Sequence, residues 1–336
     1  MPNQTALLFA PNAWKPTNTN LTLYPRLQEL LREIESCREL TKTAGEPQCM
    51  SLEGETGAGK TKLVSIYTDL YPPSETESGA HIPVFYMEIP ANATVKSVIQ
   101  EALERLGDPA AGKGTVPTMN SRLVKFIKAL GIELIILDEF HQLIDSETNH
   151  ILTKVSEWLK MLIKQTEIAF VVVGTNGQVE RILRANPQLS RLFAARETLE
   201  PFSWGTDEAI AQFSRLVEFS ESEIETPIDK TLPRVEVLFR IHYATDGIIA
   251  NVMNLMRKAA ENAYTRNSPT IDLVDLSYAF TKRVGKHLYT KTNPFLTGTD
   301  TSFTPPAETL APKNDAKSKC RGRGKKPPTA SQVLTT

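Results

Sequence analysis

Cysteine is scarce in this sequence, and the few cysteines are far apart. Cys37, Cys49 and Cys320 are the only three among 336 residues, and no two of them form a CxxC pair. This spacing excludes a disulfide framework and a cysteine-ligated structural zinc ion, and it favours a reducing compartment. His141 and His150 have no cysteines or well-spaced acids beside them, so surface or packing roles are expected for both. We therefore expect a cytoplasmic protein.

Long apolar runs and an excess of one charge are also lacking. The apolar patch from Ala6 to Ala10 has no basic residue before it, and no apolar run approaches the length that spans a membrane. The 38 basic and 39 acidic residues nearly cancel, so any attraction to nucleic acid must come from local patches. These absences favour a soluble intracellular protein without a membrane partner.

The clearest positive signal is a glycine-rich segment, GETGAGKT, between an apolar run that ends at Leu52 and a helical pattern that starts near Leu63. Strand, loop and helix in this order are typical of a phosphate-binding loop. The glycines let successive backbone N–H groups turn towards a polyphosphate, and the N-terminus of the helix adds positive partial charge. The loop consists of Gly54, Glu55, Thr56, Gly57, Ala58, Gly59, Lys60 and Thr61.

Metal and water chemistry is predicted for four residues. Lys60 is expected to reach the β- and γ-phosphates of a nucleoside triphosphate, and the Thr61 hydroxyl is expected to bind Mg²⁺. Asp138 and Glu139 end the apolar run ELIILDE, which would bring them beside the loop. Asp138 is expected to hold the Mg²⁺ shell, directly or through water, and Glu139 is expected to polarise the attacking water.

Two further sites follow the next apolar run. Thr175 and Asn176 come after FVVVG, where a polar side chain can hydrogen-bond the γ-phosphate or the attacking water. Asn176 is favoured over Thr175, and an ordinary strand-to-helix turn is the alternative. Arg191, in NPQLSRLF, is the first candidate for an arginine that reaches across a subunit interface to the γ-phosphate, and Arg196 is the second. A solvated surface arginine is the alternative for this site.

Four regions are predicted along the chain. Residues 1–45 form an N-terminal extension and a helix, and residues 46–205 alternate apolar strands with helices. That alternation indicates a parallel sheet covered on both faces. Residues 206–288 show helical patterns alone, and residues 289–336 form a basic tail that is expected to be disordered. The fold class is therefore α/β, a P-loop core with a parallel sheet flanked by helices, followed by a small all-helical lid domain.

Individual elements are predicted from apolar periodicity. Strands are predicted at 49–52, 84–89, 134–137 and 168–173. Helices are predicted at 25–41, 95–106, 122–130, 151–163, 208–219, 235–244, 248–264 and 273–284, besides the helix after the phosphate loop.

These motifs together resemble the AAA+ ATPase superfamily and, within it, the TniB/TnsC-type transposition regulators of mobile elements. The closer resemblance extends from Tyr24 to Gly285. It includes LGDPAAGKGTV before a helix, ELIILDEFHQL, VVVGTN, NPQLSRLF followed by LEPF, and ATDGIIANVMNLMRKAA.

The resemblance implies a prokaryotic, nucleoid-associated ATP-dependent switch with ATP and Mg²⁺ as cofactors. Such proteins assemble as rings or helical filaments on double-stranded DNA, mark a target site, and recruit or activate a transposase. The implied partners are further copies of the chain, transposase subunits, and a target-selection protein of the TniQ type or an RNA-guided complex. In relatives the DNA contacts lie between the two nucleotide motifs, which places them here on Lys96, Lys113 and Thr115. Merely solvated lysines are the alternative.

One position departs from the family pattern. Relatives often carry an arginine just after the glycine turn of the lid, where it senses the γ-phosphate. Here the turn Gly247-Ile248-Ile249-Ala250 is followed by Asn251, and Arg257 lies further along. The departure implies slow or partner-stimulated hydrolysis.

Three alternatives remain open. A replication-initiator or helicase-loader type AAA+ ATPase would have a dedicated DNA-reading domain after the lid. A small-molecule kinase would need an acceptor pocket and arginine-rich lid segments. A non-hydrolysing ATP-bound DNA scaffold would be unaffected by Glu139→Gln.

Overall fold

The computed structural model describes residues 25–77, 79–144, 149–284 and 291–296. Its strands are β1 (Met50–Gly54), β2 (Ser74–Thr76), β3 (Gly79–His81), β4 (Val84–Glu88), β5 (Leu134–Asp138), β6 (Ala169–Gly174) and β7 (Ala195–Leu199). Five of them form one parallel sheet in the order β4-β5-β6-β1-β7, and β2 pairs with β3 in a separate antiparallel hairpin. All residues of β5 and β6 are buried, as expected for central parallel strands covered on both faces.

Helices lie on both faces of the sheet and continue beyond it. They are α1 (Pro25–Ala44), α2 (Lys60–Asp69), α3 (Val95–Arg105), α4 (Val116–Ala129), a 3₁₀ turn (Phe140–Ile144), α5 (Asn149–Thr166), α6 (Gln178–Arg184), α7 (Pro187–Leu192), α8 (Asp207–Ile224), α9 (Arg234–Thr245), α10 (Ile249–Thr265), α11 (Leu273–Ala279) and a π-helical turn (Phe280–Val284). The predicted fold class, a parallel sheet flanked by helices and followed by a helical region, is confirmed.

Several details differ from the sequence-based expectation. The β2–β3 hairpin and the edge strand β7 were not predicted, because their residues are largely polar or exposed. Helix α4 begins at Val116, six residues before the predicted start at Arg122. Pro117 lies in its first turn, where the missing N–H costs nothing, so proline there does not mark a loop.

Two apolar layers hold the sheet between its helices. On one face, α1 and α2 contribute Leu30, Ile34 and Leu63 to a cluster with β1 residues such as Leu52. The opposite layer is larger and contains side chains of α3 to α7 around β5 and β6. Because both faces are covered, the strand ends are the accessible part of the sheet.

A buried ionic network fastens α1 to the layer that contains the phosphate loop. The Glu35 carboxylate accepts hydrogen bonds from Arg38 at 2.6 Å and from the hydroxyls of Tyr67 at 2.5 Å and Tyr71 at 2.9 Å. Arg38 also donates to Glu133, the residue before β5, at 2.9 Å. Burial and the Glu35 charge raise the pKa values of both tyrosines, so the hydroxyls stay protonated as donors.

The helical region has an apolar core of its own. Helices α8 to α11 surround a cluster that extends from Phe202 to Phe295. Residues 291–296 fall in the range predicted as a disordered tail, but Phe295 is only 3 % exposed, and Arg240 donates to the Pro294 carbonyl at 3.0 Å. The tail prediction is therefore wrong for these residues. Residues 1–24 and 297–336, which include the basic block, lie outside the described part of the chain.

Gly247 joins the helical region to the sheet, and its replacement is expected to be severely destabilising. Its φ is +67°, and a Cβ there would lie 2.0 Å from the Phe202 carbonyl oxygen. The Phe202 N–H also donates to the Gly247 carbonyl at 3.0 Å, and this hydrogen bond holds the two segments close together. We expect Gly247→Ala to lower the free energy of unfolding by at least about 3 kcal/mol.

Urea unfolding of the full chain tests this expectation. Gly45→Ala is the matched control, because Gly45 has a similar φ of +71° but nothing within 4 Å of the Cβ position. That variant keeps only the backbone strain, about 1 kcal/mol. Equal effects of the two substitutions would contradict the steric explanation.

His242 adds a pH dependence to the same junction. Its Nε2 lies 2.7 Å from the Phe202 carbonyl oxygen, and its ring packs against Trp204 and Phe213. Burial lowers the pKa of His242; the Phe202 carbonyl and Asp246 oppose this shift, and Lys291 adds to it. The neutral ring is therefore the folded form, and its Nε2–H donates to Phe202.

The lowered pKa predicts lower stability in acid. The unfolded chain takes up a proton on this histidine below its ordinary pKa of about 6.5, whereas the folded chain does so only at a lower pH. The stabilisation is thus complete above about pH 6.5 and is lost as the pH falls through the folded pKa. Urea unfolding at several pH values should show a smaller loss in acid for His242→Gln than for the wild type. His150→Gln, at an exposed position, should keep the wild-type slope.

Candidate nucleotide and DNA sites

The predicted phosphate loop lies where β1 ends and α2 begins. Gly57 and Gly59 have φ values of +85° and +104°, which turn the backbone as a phosphate cradle requires. A Cβ at Gly54 would lie 2.7 Å from the Leu199 carbonyl oxygen, so β7 also requires glycine at that position. Glu55 is half-buried, Thr56 is exposed and Ala58 is buried. The loop therefore directs backbone N–H groups and the first turn of α2 at one point.

Lys60 is held inside this loop. Its ammonium donates to the carbonyls of Gly54 at 2.8 Å and Glu55 at 2.9 Å. Burial lowers the pKa of Lys60, and the charges of Glu139, Asp138 and Glu55 oppose that shift. The ammonium thus lies in a partly desolvated position, where its attraction for a phosphate group is stronger than in water.

Thr61 and Asp138 meet, as the sequence predicts for two ligands of one cation. The Thr61 hydroxyl donates to Asp138 Oδ2 at 2.8 Å, and the Tyr86 hydroxyl lies 3.4 Å from the same oxygen. Asp138 is fully buried at the end of β5. Burial and the charges of Asp138 and Glu88 raise the pKa of Tyr86 to about 12, so it remains a donor. Hydroxyl and carboxylate oxygens are the donors that Mg²⁺ prefers, and this pair fits such an ion.

Glu139 has an unusual backbone conformation. Its φ is +53°, and its N–H donates to Asp138 Oδ1 at 2.8 Å. His141 Nε2 lies 3.4 Å from Glu139 Oε2, and His141 Nδ1 is buried without a partner among the described residues. Sequence reasoning gave His141 only a surface or packing role and missed this contact, because no motif marks it. Glu139 is thus held at its backbone by Asp138 and faces His141 with its carboxylate.

Thr175 and Asn176 follow β6, which lies between the strands of the phosphate loop and of Asp138. Thr175 is half-buried and its carbonyl accepts from Gln178 N–H at 3.1 Å, whereas Asn176 is exposed. Both residues thus lie at the carboxyl end of their strand, at the same end of the sheet as the other candidate residues. The preference for Asn176 over Thr175 stays a prediction.

The two arginine candidates differ sharply. Arg196 donates to Glu180, to the Ser190 hydroxyl and to the Phe193 carbonyl, so its guanidinium is already engaged within the chain. Arg191, in α7, is exposed and forms no hydrogen bond or ion pair within the described residues. Of these two candidates, only Arg191 has a guanidinium without a partner among the described residues.

The lid contacts the phosphate loop through its backbone. The Ala250 N–H donates to the Gly57 carbonyl at 3.1 Å, and Ile249 Cδ1 lies 3.1 Å from the position of a Cβ at Gly59. Ala250 lies in the first turn of α10, where N–H groups have no partner within the helix. Asn251 donates instead to the Thr245 carbonyl at 3.2 Å, so its side chain caps the preceding helix.

The predicted DNA contacts lie on one side of the core. Lys96, in the first turn of α3, and Lys113 and Thr115, just before α4, are all exposed. A Cβ at Gly112 would lie 3.5 Å from the side chain of Gln100, one turn after Lys96, which places the Lys113 loop beside α3. The structure therefore brings the region of Lys96 and the region of Lys113 together.

This loop is also rigid. Asp108 accepts from Arg122 at 2.8 Å, and Arg122 donates to the Ala110 carbonyl at 2.7 Å. Both contacts tie the loop to α4, so Lys113 is presented from a fixed support.

The chain has the fold of a P-loop protein, a parallel sheet with a glycine-rich loop between β1 and α2. Similar solved structures show the fold. Cdc6p from Pyrobaculum aerophilum has a TM-score of 0.57 at 16 % identity and covers 82 % of this chain and 70 % of its own. ORC2 from Aeropyrum pernix, solved as ADPNP–ADP complexes, has a TM-score of 0.56 at 15 % identity, with coverages of 82 % and 70 %. ORC1 from Aeropyrum pernix, solved in complex with DNA, has a TM-score of 0.53 at 19 % identity, with coverages of 80 % and 68 %.

The chain belongs to the TniB family, because the family profile described as "Bacterial TniB protein" matches residues 17–203. No curated protein matches the chain. Within the described ranges, no helix has the length and apolar character needed to cross a membrane. The same ranges contain no cluster of three or more histidine, cysteine and acidic side chains that would hold a metal ion.

Proposed function

We propose that this protein is an ATP-dependent, DNA-binding transposition regulator that oligomerises as a ring or filament on double-stranded DNA. In this role it marks a target site and recruits or activates a transposase, and ATP hydrolysis drives disassembly. Membership of the TniB family supports the role in transposition. The observation that carries the assembly is Arg191, which is exposed and unpaired within the described residues, whereas Arg196 is engaged in its own chain.

The site residues divide the hydrolytic work between them. Thr61 and Asp138, whose oxygens are 2.8 Å apart, would hold the Mg²⁺ ion, which would offset negative charge on the phosphates. A bound nucleoside triphosphate supplies the phosphoryl group that water attacks. Glu139 would orient and polarise that water, while Lys60 and the loop N–H groups bind the phosphates.

In this proposal the site is completed when subunits assemble. Arg191 of a neighbouring subunit would stabilise charge on the γ-phosphate, and Thr175 or Asn176 would contact that phosphate or the water. The lid lacks an arginine at Asn251, where the amide bonds Thr245 instead. Hydrolysis by one subunit alone would therefore be slow and would accelerate on assembly or on contact with a partner.

DNA binding is assigned to Lys96, Lys113 and Thr115. These side chains suit phosphate contact, which carries affinity without reading bases. Choice of the target would then fall to partners, namely transposase subunits and a target-selection protein of the TniQ type or an RNA-guided complex. Such a role belongs to the prokaryotic cytoplasm, in association with the nucleoid.

A replication-initiator or helicase-loader type ATPase is the second candidate, and the likeness to Cdc6p and the ORC proteins favours it at the level of fold. A non-hydrolysing, ATP-bound DNA scaffold is the third. Neither alternative requires a transposase, so stimulation of strand transfer by this protein separates the proposal from both.

Electron microscopy with duplex DNA, with and without ATP, tests the assembly directly. We expect rings or filaments on DNA only when ATP is present, and DNA affinity that falls linearly on logarithmic axes as salt rises. Replacement of Lys96 and Lys113 by alanine should make that line shallower, by the amount expected for the loss of about two phosphate contacts. Absence of any ATP-dependent assembly would refute the proposal.

A further inference from the structure

A large groove lies near Glu139, and of its lining residues only Lys96 has a role in the function proposed above. It has a volume of about 1050 Å³ and is bordered by the segment before α3, the 3₁₀ turn after Glu139, and α5. Its floor is apolar and consists of Val95, Val116, Leu143, Val155, Trp158 and Met161. Met161 is 39 % exposed and continues this apolar surface to the solvent. A floor of this kind is typical of a binding surface.

Positive charge surrounds this floor. Lys96, Lys154, Lys160 and Lys164 border the groove, and Glu157 is the one acid among the described residues that line it. Glu157 already accepts from Asn186 and pairs with Lys160, both at 2.5 Å. The other three lysines have no ion-pair partner in the described parts of the chain. The groove therefore presents unneutralised positive charge above an apolar surface.

We propose that this groove binds an acidic, amphipathic peptide segment of a partner protein. Apolar side chains of the segment would cover Met161 and Trp158, and its carboxylates would face Lys154 and Lys164. Nucleic acid fits less well, because a phosphate backbone gains nothing from a wide apolar floor.

The chain's own terminal segments have the wrong charge for this groove. Residues 1–24 contain no aspartate or glutamate. Residues 297–336 contain seven lysines and arginines against three acids. Neither terminal segment therefore matches the charge of the groove.

A peptide bound in the groove would affect the backbone around Glu139. Gln142 and Leu143 line the groove, and the Gln142 N–H donates to the Glu139 carbonyl at 2.9 Å. A peptide on this surface thus contacts the turn that fixes the backbone of Glu139. This consequence rests on the proposed hydrolysis, whereas the binding itself does not.

A random peptide library displayed on phage and panned on the full-length protein tests the binding. The groove variant combines Lys154→Glu and Lys164→Glu. Its matched control combines Lys125→Glu and Lys128→Glu, which make the same charge change at exposed positions of α4 away from the groove. Thermal unfolding of each variant checks that the fold is intact.

We expect selected peptides to combine aspartate or glutamate with leucine or aromatic residues. Synthetic copies should bind the groove variant at least about tenfold more weakly than the wild type and the control within about twofold. Met161→Arg should weaken the same peptides, which separates a true groove contact from general charge attraction. Weakening by salt alone, with no effect of Met161→Arg, would overturn the proposal.

Two further outcomes would also overturn it. The first is selection of peptides without acidic residues, or equal loss of binding in the groove variant and the control. The second is a loss of duplex DNA affinity in the groove variant that matches its loss of peptide binding, which would make the surface a nucleic-acid site. Neither readout depends on ATP turnover, so failure of this proposal is distinguishable from failure of the proposed ATPase cycle.

Discussion

Glu139→Gln is expected to lower ATP turnover by at least about a hundredfold while ATP affinity stays close to that of the wild type. The amide keeps the shape of the side chain but cannot accept a proton from water. The expected cation ligands, Thr61 and Asp138, are untouched, and the N–H of residue 139 still donates to Asp138. Phosphate release measures the turnover, and a fluorescent ATP analogue measures the affinity.

Glu167→Gln is the matched control for that substitution. Glu167 has a φ of +59°, close to the +53° of Glu139, and it lies in the turn between α5 and β6. The control therefore repeats the loss of charge and the backbone conformation away from the site. If ATP-dependent DNA binding and disassembly are both unchanged in Glu139→Gln, hydrolysis is not the switch, and the scaffold is favoured. ATP-dependent assembly that persists in the variant without disassembly would support a hydrolytic switch.

Arg191→Ala is expected to lower turnover by about a thousandfold or more, because an arginine supplied in trans is worth that much in phosphoryl transfer. Since Arg191 is exposed and forms no hydrogen bond or ion pair in the described part of its own chain, the fold and the ATP affinity of the isolated subunit should be unaffected. Arg184→Ala is the control, because Arg184 is 76 % exposed and pairs only with Glu180.

Mixing two inactive variants tests whether Arg191 acts across an interface. A Lys60→Ala subunit cannot bind phosphates but still offers Arg191, and an Arg191→Ala subunit keeps an intact phosphate loop. Mixed assemblies then contain some complete sites, so turnover should rise above that of either variant alone. If mixing restores nothing, Arg191 does not act in trans.

Much of the core could be predicted because burial leaves a clear pattern. β5 and β6 are buried on both faces, so their sequences are continuous apolar runs that end at Asp138 and Gly174. The phosphate loop was equally readable, because its glycines are required by geometry and Lys60 by charge. The sequence thus predicted the four apolar strands, their place in a parallel sheet and the polar residues that follow them.

The remainder depends on contacts between distant residues. β7 is an edge strand with residues such as Arg196 and Glu197 along it, so it has no apolar signature. Arg191 and Arg196 differ because Glu180, which lies in helix α6, pairs with Arg196. The positive φ of Glu139 and its contact with His141 arise from the turn after β5, which no local pattern marks.

The lid meets the phosphate loop through main-chain atoms, and this sets how the nucleotide pocket opens. The Ala250–Gly57 hydrogen bond on the loop and the Phe202–Gly247 pair at the base of the lid act in series. Each contributes about 0.5–1.5 kcal/mol to holding the lid in place. The rate of nucleotide exchange would then depend on how often these backbone hydrogen bonds open. Deuterium uptake at the Ala250 amide would report each opening of the pocket.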